Sequence, residues 1–155
     1  MQVGDVVPDF ELPDETGTPR RLSDLLAASG PVVLFFYPAA MTAGCTRESC
    51  HFRDLKAEFD ALGAQRVGIS ADDVDKQRRF SEKHTFDYPL LSDPDRLVAE
   101  SLGVKKLFRF IGPNARTTFV IDTDRTLLAV FDSQVNMNSH ADDALTFLQH
   151  RSAPA

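Results

Sequence analysis

Val32-Val33-Leu34-Phe35-Phe36-Tyr37-Pro38-Ala39-Ala40-Met41-Thr42-Ala43-Gly44-Cys45-Thr46-Arg47-Glu48-Ser49-Cys50 decides the fold. It opens with a continuous apolar run of strand length, the pattern of a strand buried on both faces of a parallel sheet. A turn follows, and beyond it Phe52, Leu55, Phe59 and Leu62 recur at helical spacing, marking one face of a long helix that ends near Gly63. Both cysteines of the chain, Cys45 and Cys50, lie at this strand-to-helix junction. The first turn of a helix has N–H groups without intrahelical partners and a positive dipole end, and both favour a thiolate over a thiol. A reactive cysteine is the leading expectation.

Outward from this stretch, residues 9–12 and 20–22 around Asp14-Glu15-Thr16-Gly17 read as an N-terminal β-hairpin. A short helix over 23–28 follows, with Ser23 as N-cap and Gly30-Pro31 as its stop. Downstream, 67–70 is a second strand, Asp72 caps a helix carrying Val74 and Phe80, and 89–91 is a short strand before a helix over 96–102. An irregular stretch through Gly112-Pro113 leads to a hairpin of 117–121 with 127–131. The last helix starts at Ser139, with Asp142 completing an approximate capping box, and buries Ala141, Leu145 and Leu148. Alternating strands and helices of this kind make a three-layer α/β fold, a central mixed sheet between helices.

At 155 residues the chain fits one domain, expected over 1–151 with a flexible tail at 152–155. The formal charge of −6 argues against a nucleic-acid or anionic-membrane binder, and Lys105, Lys106 and Arg109 read as a solvated loop. No apolar run approaches the roughly 20 residues that span a bilayer, and the N-terminus lacks a signal-peptide pattern, so a cytoplasmic protein is expected. In a reducing compartment, two cysteines suit a transient, catalytic or sensing disulfide better than a permanent staple.

Pro38-x-x-x-Thr42-x-x-Cys45 resembles the active-site signature of the peroxiredoxins, and Cys50 resembles the second cysteine of their Q subfamily, the bacterioferritin comigratory proteins. The similarity extends through 50–54, 88–93 and 116–122 and so covers nearly the whole chain. This resemblance implies a thioredoxin-like fold and a peroxidase acting on hydrogen peroxide or alkyl hydroperoxides without a cofactor or metal. It further implies Cys45 as peroxidatic cysteine, Cys50 as resolving cysteine, Pro38 and Thr42 as pocket residues and Arg116 as activating arginine. Thioredoxin or a similar dithiol regenerates such enzymes, which are monomers or weak homodimers. Ala43 stands where the family usually has proline, and Ala40 and Met41 replace more polar residues, which predicts a looser turn and a more apolar pocket rim.

The chemistry explains the residue types. A thiolate attacks one peroxide oxygen while the other leaves with negative charge. Lowering a cysteine pKa from about 8.5 to about 6 takes roughly 3.4 kcal/mol, and a helix end supplies only about 0.3–1 kcal/mol. A cation is therefore needed, and Arg116 offers charge and several donors together. Glu48, one turn after Cys45, either orients an arginine guanidinium or is a solvated helix residue; beside a thiolate and without an arginine it would raise the thiol pKa. On an intact helix, positions five apart have Cα atoms about 8.6 Å apart, beyond the roughly 7 Å a disulfide tolerates, so pairing of Cys45 with Cys50 requires local unwinding over about residues 42–51.

Other readings remain open at this level. Arg109 and Arg125 are rival cations, and Cys45, Cys50 and His51 are an incomplete metal set beside the scattered His84, His140 and His150, all four histidines being expected at the surface or at caps. A thiol–disulfide oxidoreductase acting on proteins, or a non-enzymatic redox-sensing binding module, would use the same two cysteines.

Overall fold

The computed structural model describes residues 1–108 and 111–152. In chain order its elements are β1 (Glu11–Pro13), β2 (Pro19–Arg21), α1 (Leu22–Ser29), β3 (Val32–Phe36), α2 (Ala43–Asp54), α3 (Lys56–Ala61), β4 (Gln65–Ser70), α4 (Val74–His84), β5 (Leu90–Ser92), α5 (Leu97–Ser101), β6 (Lys106–Phe108), β7 (Ile111–Asn114), β8 (Thr117–Ile121), β9 (Leu127–Asp132) and α6 (Ser139–Ser152).

β3 is buried at every residue because it is the middle strand of a five-stranded sheet ordered β5-β4-β3-β8-β9. It runs parallel to β4 and antiparallel to β8, while β5 and β9 extend the two sides in parallel and antiparallel fashion respectively. Alternation along β3 separates two cores. Val32, Leu34 and Phe36 pack with Leu22, Leu25, Leu26, Ala99 and Leu102 of the α1/α5 side. Val33, Phe35 and Tyr37 pack with Cys45, Phe52, Phe59, Phe80 and the α6 residues Ala141, Leu145 and Leu148. The expected three layers are present, and β1 pairs with β2 as the N-terminal hairpin.

Several local expectations are corrected. α1 begins at Leu22, and its first turn is capped from a distance: Asp9 accepts hydrogen bonds from Ser23 N (3.0 Å) and Ser23 Oγ (2.8 Å). Asp73, not Asp72, caps α4, accepting from Lys76 N at 2.8 Å, because Asp72 is engaged at the end of β4. The long helix is two, α2 and α3, divided where Leu55 adopts ψ 19°, although Leu55 N→His51 O and Phe59 N→Leu55 O bonds carry the apolar face across the break. The stretch through Gly112-Pro113 is a small hairpin, β6 with β7, whose Gly112 takes a left-handed φ of 99°. No capping box forms at α6: Asn136 Oδ1 accepts from Ser139 N at 3.2 Å, while Asp142 pairs with His51 at 2.7 Å. Of the tail expected at 152–155, Ser152 is the last residue of α6, and 153–155, like Arg109, lie outside the described residues.

Candidate active site

The loop between β3 and α2 begins at Pro38, which is buried and has no N–H, and is pinned to the sheet where Ala40 N donates to Asp72 Oδ2 (2.6 Å). Asp72 is in turn held by Ser70 Oγ (2.7 Å) at the end of β4. The turn is tight enough that Met41 takes a left-handed φ of 68°. Thr42 is the extended residue immediately before α2; its Oγ1 donates to Ala39 O (2.7 Å) and its carbonyl accepts Thr46 N (2.9 Å). Ala43 is the first helical residue, the position where proline's fixed φ would cost nothing. Cys45 thus falls in the first turn of α2, fully buried, as a free thiol.

Arg116, just before β8, reaches this turn from across the sheet. Its Nη2 donates to Cys45 Sγ at 3.6 Å. Gln134 holds its main chain from both sides, accepting from Arg116 N (2.8 Å) and donating to Arg116 O (3.1 Å), and the Gln134 carbonyl takes Nη1 at 3.4 Å. Gly44 makes the approach feasible: a Cβ there would lie 2.6 Å from Nη2. On its other side the guanidinium faces Glu48, with Nε 3.9 Å from Oε2. Glu48 is fully buried, which settles its position against a solvated one, and among the described residues neither of its carboxyl oxygens has a hydrogen-bond partner. Burial pushes this carboxyl up to about 8, against the opposing pull of Arg116.

Cys45 departs from the expectation of a depressed thiol pKa. Burial pushes it up, and the Ala39 backbone, the Thr42 hydroxyl and Arg116 offset that only in part. A protonated Glu48 is therefore useful at neutral pH, because it leaves the guanidinium's charge to the sulfur instead of sharing it with a carboxylate.

Thr42, Cys45, Glu48 and Arg116 are brought together, and Pro38 is buried at the head of the same loop; Cys50 stands five residues beyond Cys45 on α2. It is partly exposed, with its thiol also pushed up by burial, and it lies further along the same intact helix. Arg125 lies in the β8–β9 turn, at the opposite end of β8 from Arg116. Among the described residues no three His, Cys, Asp or Glu side chains stand together as a metal site. Ala40 is buried and not at the rim, whereas Met41 is exposed and Met137 lies against Gly44. His140 overturns the reading of all four histidines as surface or cap residues: it is 1% exposed and bonded to Thr118 and Ser133. Gly44, Gln134 and His140 escaped the sequence reading; only Gly44 carried a signal, a glycine beside a helical cysteine.

The AhpC/TSA family matches residues 3–130. The chain is 38% identical over 144 residues to peroxiredoxin Bcp of Escherichia coli K12, covering 90% of this chain and 91% of that one. The crystal structure of peroxidoxin BcpB from Mycobacterium tuberculosis superposes with a TM-score of 0.92, 60% identity and 99% coverage of each chain. The bacterioferritin comigratory protein of Xanthomonas campestris, studied for alkyl peroxide reduction in trapped intermediate and ligand complexes, superposes at 0.82 with 29% identity over 93% of this chain and 92% of that one.

Proposed function

Since the chain belongs to the AhpC/TSA family and is a thiol-dependent peroxidase of the Q/Bcp type, we propose that Cys45 attacks the hydroperoxide and that Thr42, Arg116 and Pro38 shape its pocket. The observation that carries this is the Arg116 guanidinium 3.6 Å from a cysteine in the first turn of a helix. The Cys45 thiol first loses its proton to solvent. Its thiolate then attacks one peroxide oxygen, the O–O bond breaks, and the leaving alkoxide or hydroxide takes a proton from water, giving sulfenic acid and an alcohol or water. Arg116 donates to the developing negative charge, and the Thr42 oxygen, whose proton points to Ala39 O in the resting site, keeps lone pairs to accept the peroxide's hydrogen bond. Glu48 orients the guanidinium.

Cys50 then condenses with the sulfenic acid, forming the Cys45–Cys50 disulfide and releasing water. Both cysteines belong to α2, so this requires α2 to unwind. An external dithiol, thioredoxin or a similar donor, reduces the disulfide, and the enzyme works as a monomer or weak homodimer in the cytoplasm. Among the described residues no helix is long and apolar enough to cross a membrane. The exposed Met41 beside the loop favours alkyl hydroperoxides as well as hydrogen peroxide.

Intact-mass analysis after rapid mixing with one equivalent of peroxide tests the scheme. Wild type should lose two hydrogens, Cys45→Ser should not turn over, and Cys50→Ser should accumulate sulfenic or over-oxidised Cys45. Retained turnover in Cys45→Ser refutes the assignment.

A further inference from the structure

His140 is a buried titratable group with no part in the chemistry above. It sits in the second residue of α6, and its ring is fixed at both nitrogens: Nδ1 lies 2.8 Å from Thr118 Oγ1 on β8, and Nε2 lies 2.8 Å from Ser133 O after β9. A carbonyl only accepts, so Nε2 carries a proton; in the neutral ring Nδ1 then accepts the Thr118 hydroxyl. The same Nε2 edge stands 3.9 Å from Glu48 Oε2, the oxygen that Arg116 Nε faces at the same distance. Glu48, without any hydrogen-bond donor among the described residues, is thus held between a cation and an imidazole edge.

We propose that His140 is a positioning residue of the peroxidase site: its imidazole, locked by Thr118 and Ser133, walls in the Glu48 carboxyl and keeps it turned toward Arg116, so that the guanidinium stays directed at the Cys45 sulfur. This rests on the roles given to Cys45 and Arg116 above. The groups facing Glu48 are Cys45 on its own helix, Arg116 before β8 and His140 on α6; those facing His140 are Asp132 at the end of β9, Arg116, and Asp143 on its own helix. Burial pushes His140 below its ordinary value, against the Ser133 bond and the two aspartates, so at neutral pH it forms an uncharged wall. Without that wall, water reaches Glu48, the carboxyl ionises at lower pH, and the carboxylate draws Arg116 away from the sulfur.

The experiment is the pH profile of single-turnover peroxide attack, read by rapid quench and intact mass, for wild type, His140→Leu, His140→Gln and Arg116→Ala. In His140→Leu the inflection that wild type shows near the Glu48 value of about 8 should move down by about one pH unit, with attack slowed about twofold at pH 7 and approaching tenfold above pH 8. His140→Gln, which can still donate to Ser133 O, should regain most of the rate. In parallel, the ring 15N shifts of His140 in the wild-type protein should inflect near pH 8 and lose that inflection in Glu48→Gln. A folded His140→Leu with the wild-type profile overturns the inference; should that variant not fold, a wild-type ring insensitive to Glu48→Gln overturns it. If Arg116→Ala slows attack while His140→Leu does not, only the His140 inference fails; if Arg116→Ala attacks as fast as wild type, the role of Arg116 fails with it.

Discussion

Gly44 occupies the point where α2 and Arg116 come closest, and its missing side chain is what lets the guanidinium reach Cys45. An added methyl would meet Arg116 Nη2 at 2.6 Å, the far end of a flexible side chain that can swing aside, and Met137 atoms at 3.4 Å. Gly44 is helical, and alanine is the better helix former by up to about 1 kcal/mol. Gly44→Ala should therefore keep or slightly raise the urea midpoint while slowing peroxide attack about tenfold or more, an opposition of stability and rate that ordinary core damage does not produce. The pH profile is a second test at this scale. The thiolate is the nucleophile and burial has raised the Cys45 pKa, so attack should quicken about tenfold per unit from pH 6 toward 8. As Glu48 ionises near 8, its carboxylate competes for Arg116 and raises the thiol further, so the climb should flatten there. Glu48→Gln should remove the flattening in a stopped single-turnover series; an unaltered profile would show that Glu48 carries no charge that the sulfur feels. Of these residues, Cys45, Thr42 and Arg116 were visible in the sequence because motif spacing and charge mark them. Gln134 and His140 were not, because their importance lies in long-range hydrogen bonds that no local pattern records.

α2 carries at one time the thiol proposed as nucleophile, the second cysteine and a buried carboxyl that would rather be in water. Its Glu48 binds a proton up to about pH 8 when folded and only to an ordinary carboxylate value when unwound. The sign follows from linkage: stability from this group is full below the ordinary value of 4.5 and is lost as pH rises toward 8, an upper limit of roughly 5 kcal/mol. Unwinding, which the proposed Cys45–Cys50 disulfide needs, becomes easier across the same window. In urea titrations of Cys45→Ser protein, kept reduced, the stability gained by adding Glu48→Gln should grow from pH 5 to 8; a constant difference would mean that Glu48 keeps its ordinary pKa. Buried histidines such as His140 titrate with the opposite sign, but they are common to both proteins and cancel in the comparison. Elements with strong periodicity were legible: β3, β4, β8, β9 and α6 form where the apolar pattern placed them. The β6–β7 hairpin was hidden by Gly112 and Pro113, which read as loop residues although both lie within β7, Gly112 with a positive φ. Likewise, the break at Leu55 was invisible because the apolar spacing continues across it.

Across the whole molecule, the sheet divides the protein into a side that holds the site and a side that only supports it. α2 and α6, which carry Cys45, Glu48 and His140, share one core with Phe35 and Tyr37, while α1 and α5 fill the other with Leu34 and Phe36. This division was legible from the doubly buried β3 run, which requires cover on both faces, but which helices went to which face was not, since each has an apolar stripe of its own. A Leu→Ala change in either core removes about 2–5 kcal/mol, from a total stability of about 5–15 kcal/mol for a domain of this kind, so both variants should remain folded at low temperature. Leu25→Ala, on the α1 side, should lower the urea midpoint yet leave single-turnover attack within about twofold, because β3 stands between it and the site. Leu145→Ala on α6 should lose a similar amount of stability, but it also loosens the helix that sets His140 against Glu48, and attack should slow several-fold with a downward shift of the pH inflection. Equal rates in the two variants at matched stability would mean that the sheet transmits packing changes evenly and that α6 has no private hold on the site.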